Sequence, residues 1–398
     1  MQDKLKIAIS VTGFIEWTGG IEFVKNIIRL LLCKDNEFYL LLPSFSMNKY
    51  PKFLVKNFKS LLKIDNSFLP VKENPELKEI FKDFDGKVNF VYYNGDILKA
   101  INKIHPDIIY PTWDKIYKKC KIPQVAYLYD CQHKYYPELF KKHSIKTRDK
   151  YFKMIVSNYK AIVVGSQDTK NDLIKFYNAK PEQVFNIFAS SILNEKFLND
   201  IETDVISKYK LPEKYFMVCS QFWKHKSHIT VIEAVKYLKD NGVNISVVCT
   251  GKTEDYRHPE YFGELKQKIK DWNLEDNIKI LGLIDRLEQI KLIKNSVAVI
   301  QPSLCEGGAG AGGSSEAVSL GIPLIMSDIP VNKEYDYLNE VFYFQAKNYE
   351  DLAKNMKNVL NTEFKKYTDT ELIEMSKNRE NAAVERIYAP VYAILNKK

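Results

Sequence analysis

Short apolar runs alternate with longer amphipathic stretches along the whole chain. The apolar runs in the first half lie at 6–11, 38–42, 88–92, 108–110, 125–129 and 161–164. Those in the second half lie at 215–219, 245–250, 278–281, 297–301, 324–327 and 341–344. Helical periodicity fills stretches between them, including 20–32, 168–176, 229–239, 261–272, 286–295 and 349–360. This alternation predicts an α/β protein whose parallel sheets carry helices on both faces.

The chain divides at a polar span, 198–212, that has no strand pattern. We predict a linker there and two domains, 1–203 and 204–384. The last segment, 370–397, has the pattern of a long helix broken or bent near Pro390, and its end, from about 385 to 398, is expected to pack back on the first domain. Ligands of open parallel sheets bind beyond the carboxyl ends of the strands, so we expect a cleft lined by strand-end loops between the domains.

Composition limits the class of protein. The chain has 398 residues, of which 45% are hydrophobic and 27% charged, which suits two globular domains with ample cores. No apolar run approaches the roughly 18 residues of a membrane span, and the N-terminus lacks the apolar core of a signal peptide. The six cysteines are scattered without zinc-site spacing, so we expect buried thiols. A cytoplasmic protein is predicted.

The net charge of +9 favours acidic partners such as nucleotide phosphates or an anionic membrane surface. Four lysines follow helical spacing opposite an apolar face: Lys52, Lys56, Lys59 and Lys63. They predict a basic amphipathic helix, which either is a solvated lysine face over core contacts or rests on an anionic membrane. The chain has no recognisable nucleic-acid-binding motif, so nucleic acid is not an expected partner.

A glycine-rich run lies between two carboxylates, Glu306 and Glu316, and holds five of the chain's 16 glycines. An apolar strand pattern precedes it, and a short helix and a second strand pattern follow it. Such a loop directs free backbone N–H groups at an anion, usually a phosphate. Carboxylates beside a phosphate would be repelled unless they bind hydroxyls, so we interpret both as ligands of a sugar or a ribose.

The same run permits a second interpretation. Gly308, Gly310 and Gly313 have the dinucleotide-binding spacing, and Asp328 ends the next strand where a ribose-binding acid belongs. The short helix and the lack of a role for Glu306 count against a nicotinamide site.

Three further segments occur with this loop in a familiar order. They are 18–21 (Thr-Gly-Gly-Ile), 130–138 (Asp-Cys-Gln-His-Lys-Tyr-Tyr-Pro-Glu) and 220–226 (Ser-Gln-Phe-Trp-Lys-His-Lys). Together the four segments resemble those of family-4 glycosyltransferases over nearly the whole chain. The resemblance implies the GT-B fold, two Rossmann-like domains with parallel sheets facing a central cleft. It also implies a nucleotide-sugar donor, retention of anomeric configuration, and no metal or other cofactor.

The resemblance implies roles for residues of the glycine loop. Glu306 would contact the donor sugar, Glu316 would hydrogen-bond the nucleotide ribose, and loop amides would bind sugar or phosphate oxygens together with the hydroxyls of Ser314 and Ser315. The amides in question include those of Gly307 and Gly308. Family members usually separate the two glutamates by seven residues, whereas nine separate them here.

Other implied roles lie in the remaining segments. The family often clamps the diphosphate with an arginine and a lysine five residues apart, and Gln221 and Lys226 stand at those places, with Lys224 or His225 as substitutes for the missing charge. Amides of Gly19 and Gly20 would face the diphosphate from the first domain. Asp130 and His133 would orient the acceptor or donor sugar as base or hydrogen-bond partner, or else form a structural pair.

The predicted function is therefore a retaining glycosyltransferase acting on a UDP- or GDP-linked sugar, in bacterial surface polysaccharide or glycolipid assembly. The acceptor would be a glycan or a lipid-linked molecule, and the enzyme would be cytoplasmic or peripheral on the inner membrane face. A nucleotide-sugar epimerase of the same fold and a non-catalytic partner subunit are the alternatives.

Overall fold

The computed structural model describes residues 4–395 except 17, 45–71, 113–119, 188–191, 194, 196, 197, 199–203, 309, 311 and 312. The predicted basic helix at 52–63 lies outside the described residues. Nowhere in the described part does a helix combine the length and the apolar character needed to cross a bilayer.

The first half of the chain folds around one parallel sheet. Within the described residues it has seven strands in the order β3-β2-β1-β4-β5-β6-β7. They are β1 (Lys6–Ser10), β2 (Glu37–Pro43), β3 (Asn89–Tyr93), β4 (Ile108–Thr112), β5 (Gln124–Tyr127), β6 (Ala161–Val164) and β7 (Val184–Asn186). The helices are α1 (Thr18–Leu31), α2 (Pro75–Ile80), α3 (Ile97–Ile104), α4 (Gln132–Tyr135), α5 (Lys142–Asn158) and α6 (Gln167–Tyr177).

The second half repeats this plan. The described residues form six parallel strands in the order β10-β9-β8-β11-β12-β13. They are β8 (Phe216–Cys219), β9 (Val247–Thr250), β10 (Ile278–Gly282), β11 (Ala298–Gln301), β12 (Leu324–Ser327) and β13 (Val341–Phe344). The helices are α7 (Val205–Lys208), α8 (His228–Asp240), α9 (Tyr261–Asp271), α10 (Arg286–Lys294), α11 (Ser314–Ser319), α12 (Tyr349–Leu360) and α13 (Asp369–Leu395).

Each sheet reverses its winding order once. The reversal falls between β1 and β4 in the first sheet and between β8 and β11 in the second. Loops leaving adjacent strands at such a point diverge to opposite faces and open a crevice at the carboxyl edge. The strand orders therefore place the ligand-binding edge of the second domain at the loops that follow Cys219 and Gln301.

Burial explains why these segments form strands. Every residue of β6 and β12 is buried, as expected for a parallel sheet covered on both faces. Helix starts are fixed by side-chain caps: the Ser166 hydroxyl accepts from the Thr169 amide at 3.0 Å, and the Asp285 carboxylate accepts from the Leu287 amide at 2.8 Å. These caps set where the strand-end loops of β6 and β10 stop.

All twelve strands expected from the sequence occur, each within two residues of its expected bounds. Strand β7 was not expected, because three residues are too few to show a pattern. The terminal helix is not broken at Pro390 but continues through it. Pro390 cannot donate a backbone hydrogen bond to the helix. The burial of Ile387, Tyr388 and Val391 in the core of the first domain outweighs that loss.

Helix α13 joins the two domains. Near its start, Leu372 packs in the core of the second domain. Further along, Ala383, Ile387 and Tyr388 belong to the core of the first domain, and the Tyr388 hydroxyl donates to the Leu31 carbonyl at 2.7 Å. The chain therefore returns to the first domain after completing the second.

Candidate active site

A buried ion pair stands at the reversal point of the second sheet. Lys226 ends a short 3₁₀ turn after β8, and Glu306 lies in the loop after β11. The Lys226 Nζ donates to the Glu306 Oε1 at 2.5 Å, and the two side chains are only 12% and 6% exposed. The Leu304 amide also donates to the His225 carbonyl at 2.8 Å, which ties the two loops together. Each charge needs the other, because an unpaired ion at this depth is strongly unfavourable.

A second ion pair occupies the other end of the glycine loop. Arg286 is the first residue of α10, and its Nη2 donates to Oε1 of Glu316 in the first turn of α11. Burial alone would lower the pKa of Arg286, but the carboxylates of Glu316 and of Glu22 in α1 raise it above its usual value. Arg286 was not among the residues expected from the sequence. A signal was nevertheless present, because an N-cap aspartate three residues after the end of a strand places the next residue near the ligand-binding edge.

The glycine loop contacts the first domain directly. A Cβ on Gly307 would lie 2.1 Å from the Tyr129 carbonyl oxygen, just beyond β5, so glycine alone fits this approach. Gly308 also approaches the first domain, at Gly165 beyond β6, where an added Cβ would be 3.0 Å from the carbonyl oxygen. The start of the glycine loop, at Gly307 and Gly308, therefore lies against the carboxyl edge of the first sheet.

Asp130 follows β5 and lies beside this loop. Its Cβ is 3.5 Å from the position that a Cβ on Gly307 would take. Asp130 Oδ1 accepts from the Gln132 amide at 3.0 Å and from Arg148 Nη1 at 3.3 Å. The structure thus brings Asp130 next to the loop that carries Glu306.

His133 is directed elsewhere. The residue is buried in the first domain, and its Nε2 lies 2.8 Å from the Tyr177 hydroxyl and 3.2 Å from Asp149 Oδ1. Burial, followed by the positive charge of Arg148, lowers the pKa of His133. The Nε2 is therefore committed to a network inside the domain, with Asp149 rather than Asp130, while the buried Nδ1 has no hydrogen-bond partner among the described residues. No hydrogen bond joins the ring to the Lys226–Glu306 pair.

The remaining expected residues differ in accessibility. Gly19 and Gly20 lie in the first turn of α1, the former exposed and the latter buried, and Gln221 is half-buried after β8. Ser315 is half-buried at the start of α11. Ser314 is fully buried and donates its hydroxyl to Gln301, so this hydroxyl faces the domain interior rather than the cleft.

His225 does not supply positive charge to the site. Its Nδ1 accepts from Arg257 Nη2 at 3.0 Å. Burial, together with the neighbouring cations Lys226 and Arg257, holds the pKa of His225 well below its usual value, so the ring is neutral at pH 7. A neutral ring counts against His225 as the substitute for the missing arginine. Arg286, by contrast, is permanently charged.

Glu334 fastens the domains at another part of their interface. One carboxylate oxygen accepts from the amides of Gln167 at 2.6 Å and Asp168 at 3.3 Å, at the first turn of α6. Burial raises the pKa of Glu334. A cavity of about 640 Å³ opens beside this contact, with Asn186 and Arg379 in its wall. None of the residues expected from the sequence lines that cavity.

Comparison with known proteins agrees with this geometry. Residues 200–379 match the family model of glycosyl transferases group 1. No curated protein matches the chain. The second domain, which carries both ion pairs, therefore matches the glycosyl transferases group 1 domain, and this match supports a glycosyltransferase.

Solved structures show the fold of the whole chain. HepE from Anabaena, in complex with UDP and glucose, superposes with a TM-score of 0.64 at 14% identity and covers 98% of both chains. Sucrose-phosphate synthase from Thermosynechococcus elongatus gives 0.62 at 14% identity, covering 99% of this chain and 97% of its own. The lipopolysaccharide outer core galactosyltransferase WaaB gives 0.58 at 16% identity, covering 99% and 100%. The two-sheet architecture is the GT-B fold, as the sequence predicted.

Proposed function

We propose that this protein is a retaining glycosyltransferase that moves a sugar from a UDP- or GDP-linked donor to an acceptor hydroxyl. The observation that carries the proposal is the buried Lys226–Glu306 pair at the reversal point of the second sheet, beside a glycine loop that touches the first domain. A cation and free amides suit a diphosphate, and a carboxylate suits the hydroxyls of a sugar.

In the proposed reaction the two domains enclose the nucleotide-sugar. The bond between the anomeric carbon and the diphosphate oxygen breaks, and a bond to the acceptor oxygen forms on the same face. The departing phosphate takes the acceptor's proton. Lys226 and loop amides stabilise the charge that develops on the diphosphate, which is the contribution expected to be largest. These cationic and backbone groups act without a metal in this mechanism.

The comparisons support the choice of donor and pathway. HepE is described in complex with UDP and glucose, and WaaB is described as a galactosyltransferase of the lipopolysaccharide outer core. A uridine-linked hexose is accordingly the first donor to test, and a cell-surface glycan or a lipid-linked sugar is the first acceptor. We extend the proposal to peripheral binding at an anionic membrane through the lysines at 52, 56, 59 and 63.

A thermal-shift panel tests the donor. We expect the melting temperature to rise with UDP or GDP and with one of their sugar conjugates, because ligands that bind only the folded state stabilise it. ADP and NAD serve as comparisons. Stabilisation by NAD alone would contradict the proposal.

Product analysis then tests the reaction. With donor and acceptor present, a transferase yields a new glycoside of unchanged anomeric configuration. Formation of an epimer from the donor without acceptor would instead identify an epimerase. A non-catalytic partner subunit would behave differently: the complex that contains it would keep its activity after the substitution Glu306→Ala.

A further inference from the structure

The two carboxylates of the glycine loop are held in the same manner. Glu306 and Glu316 each accept a basic side chain on Oε1, from Lys226 and from Arg286 respectively. The Oε2 of Glu316 makes no hydrogen bond to another described residue. Each glutamate therefore has one oxygen held by a cation from a different loop and one oxygen left for a ligand.

We propose that Arg286 is a positioning residue for the nucleotide ribose, holding Glu316 so that its second oxygen accepts from the ribose 2′- and 3′-hydroxyls. This inference rests on the proposed nucleotide-sugar donor. Arg286 acts through Glu316 and touches no reacting atom.

The chemistry of Glu316 selects hydroxyls. An ionised carboxylate can only accept hydrogen bonds, and a vicinal diol offers two donors, whereas an ionised phosphate offers none. The Glu316 side chain is 17% exposed, so its carboxylate has lost most of its water and benefits from a charged partner. The guanidinium suits this task because its charge is permanent and its Nη2 contacts only Oε1, which leaves Oε2 for a ligand.

The position of Arg286 also links its ion pair with Glu316 to the first domain. Among the groups that raise its pKa, Glu22 belongs to α1, the helix that carries Gly19 and Gly20. The Glu22 carboxylate therefore lies near enough to Arg286 to favour its charged form. A lysine at 286 would keep the charge but present no planar fork.

The test compares nucleoside diphosphates with and without the diol. Dissociation constants are measured by calorimetry for UDP, GDP and ADP, for their 2′,3′-dideoxy counterparts and for UMP, on the wild type and on Arg286→Met, Arg286→Lys and Glu316→Gln. The readout is the ratio of the dideoxy to the ribo dissociation constant, which a general loss of folding does not change. Lys294→Met on the same helix is the matched control, because its ion pair with Asp369 is long, at 3.7 Å, and on the surface.

For the preferred base we expect a wild-type ratio of about 10 to 100, the value of hydroxyl bonds to a charged acceptor. Glu316→Gln should bring the ratio near one, and Arg286→Met should lower it at least about fivefold, with Arg286→Lys between Met and wild type. The double variant Arg286→Met/Glu316→Gln should match Glu316→Gln. Lys294→Met should keep the wild-type ratio.

Three outcomes would overturn the inference while leaving the donor proposal intact. One is a wild type that binds a diphosphate with no preference for the diol. Another is an unchanged ratio in Arg286→Met. The last is an Arg286→Met protein that loses far more affinity for UDP than for UMP while the dideoxy-to-ribo ratio stays constant. That result would make Arg286 a phosphate ligand. A wild type that binds none of the three diphosphates would overturn the proposed function, and this inference with it.

Discussion

The two domains use their strand-end polar residues differently. In the first domain, His133, Asp149 and Tyr177 bond to one another, and Asp130 is held by Arg148 and a backbone amide. In the second domain each loop carboxylate is held on one oxygen by a single cation, Lys226 for Glu306 and Arg286 for Glu316, among the described residues. Groups that bond among themselves stabilise a domain, whereas groups with spare hydrogen-bonding capacity at a cleft can bind a ligand.

This difference indicates that the two domains contribute unequally to the site. The second domain carries the polar groups that can bind and activate the donor, and the first domain supplies backbone surface against which the glycine loop rests. Substitutions at the ion pairs of the second domain should thus lower turnover, whereas those in the polar network of the first domain should lower stability and leave turnover nearly unchanged. The variants below test that separation, beginning with the largest expected effect.

Breaking the Lys226–Glu306 pair should have the greatest effect. We expect Lys226→Met to lower kcat for sugar transfer by about 10²- to 10³-fold, because it removes a preorganised cation from the leaving diphosphate. It should also cost about 3–5 kcal/mol in the free energy of unfolding, because Glu306 becomes a buried unpaired charge. Steady-state kinetics and urea denaturation measure the two effects.

The double variant Lys226→Met/Glu306→Gln separates them. It should recover most of the lost stability, since no charge is left unpaired, and it should recover none of the lost turnover. Recovery of both would show that the pair is structural only.

Gly307→Ala should have the next largest effect. The added methyl would lie 2.1 Å from the Tyr129 carbonyl oxygen, so the glycine loop must move away from the first domain. We expect kcat/KM to fall at least about tenfold, because misplacing a catalytic loop by an ångström is costly. Gly263→Ala is the control, since Gly263 lies in α9 with nothing within 4 Å of the added carbon. An equal loss in both variants would contradict this explanation.

His133→Ala should lower stability without lowering turnover, unlike the Lys226 variant, which lowers both. We expect the free energy of unfolding to fall by about 1–3 kcal/mol, because Tyr177 and Asp149 lose a buried partner. Turnover per folded molecule should stay within about threefold of wild type. A hundredfold loss of turnover with normal stability would return His133 to a catalytic role.

The smallest effect concerns pH. Burial, with a contribution from Lys226, lowers the pKa of His228 to about 3. Below about pH 6.5 the unfolded chain binds a proton that folded His228 does not, so stability is fully present above that pH and falls as the pH drops toward 3. His228→Gln should make this fall shallower in urea titrations at pH 7, 6, 5 and 4. Parallel curves for the variant and the wild type would exclude His228 as a cause.

The sequence predicted the sheets well because their strands are buried on both faces and read as short apolar runs. It missed β7, which has three residues, and of its two alternatives at Pro390 the break does not occur, because tertiary burial outweighs local preference there. Lys226 and Glu306 could be expected from their motifs, and they do meet. His133 could not be judged, because Asp149 and Tyr177 are 16 and 44 residues away in sequence. Arg286 carried no motif.

Helix α13 has a consequence for synthesis on the ribosome. The core of the first domain contains Ile7 and Ile9 near the start of the chain, and also Ile387, Tyr388 and Val391 near its end. The half of the protein that emerges first therefore stays incomplete while the second half is translated and folds. The nascent first domain must persist for some 200 residues with part of its apolar surface uncovered, a period in which chaperones and premature aggregation compete for it.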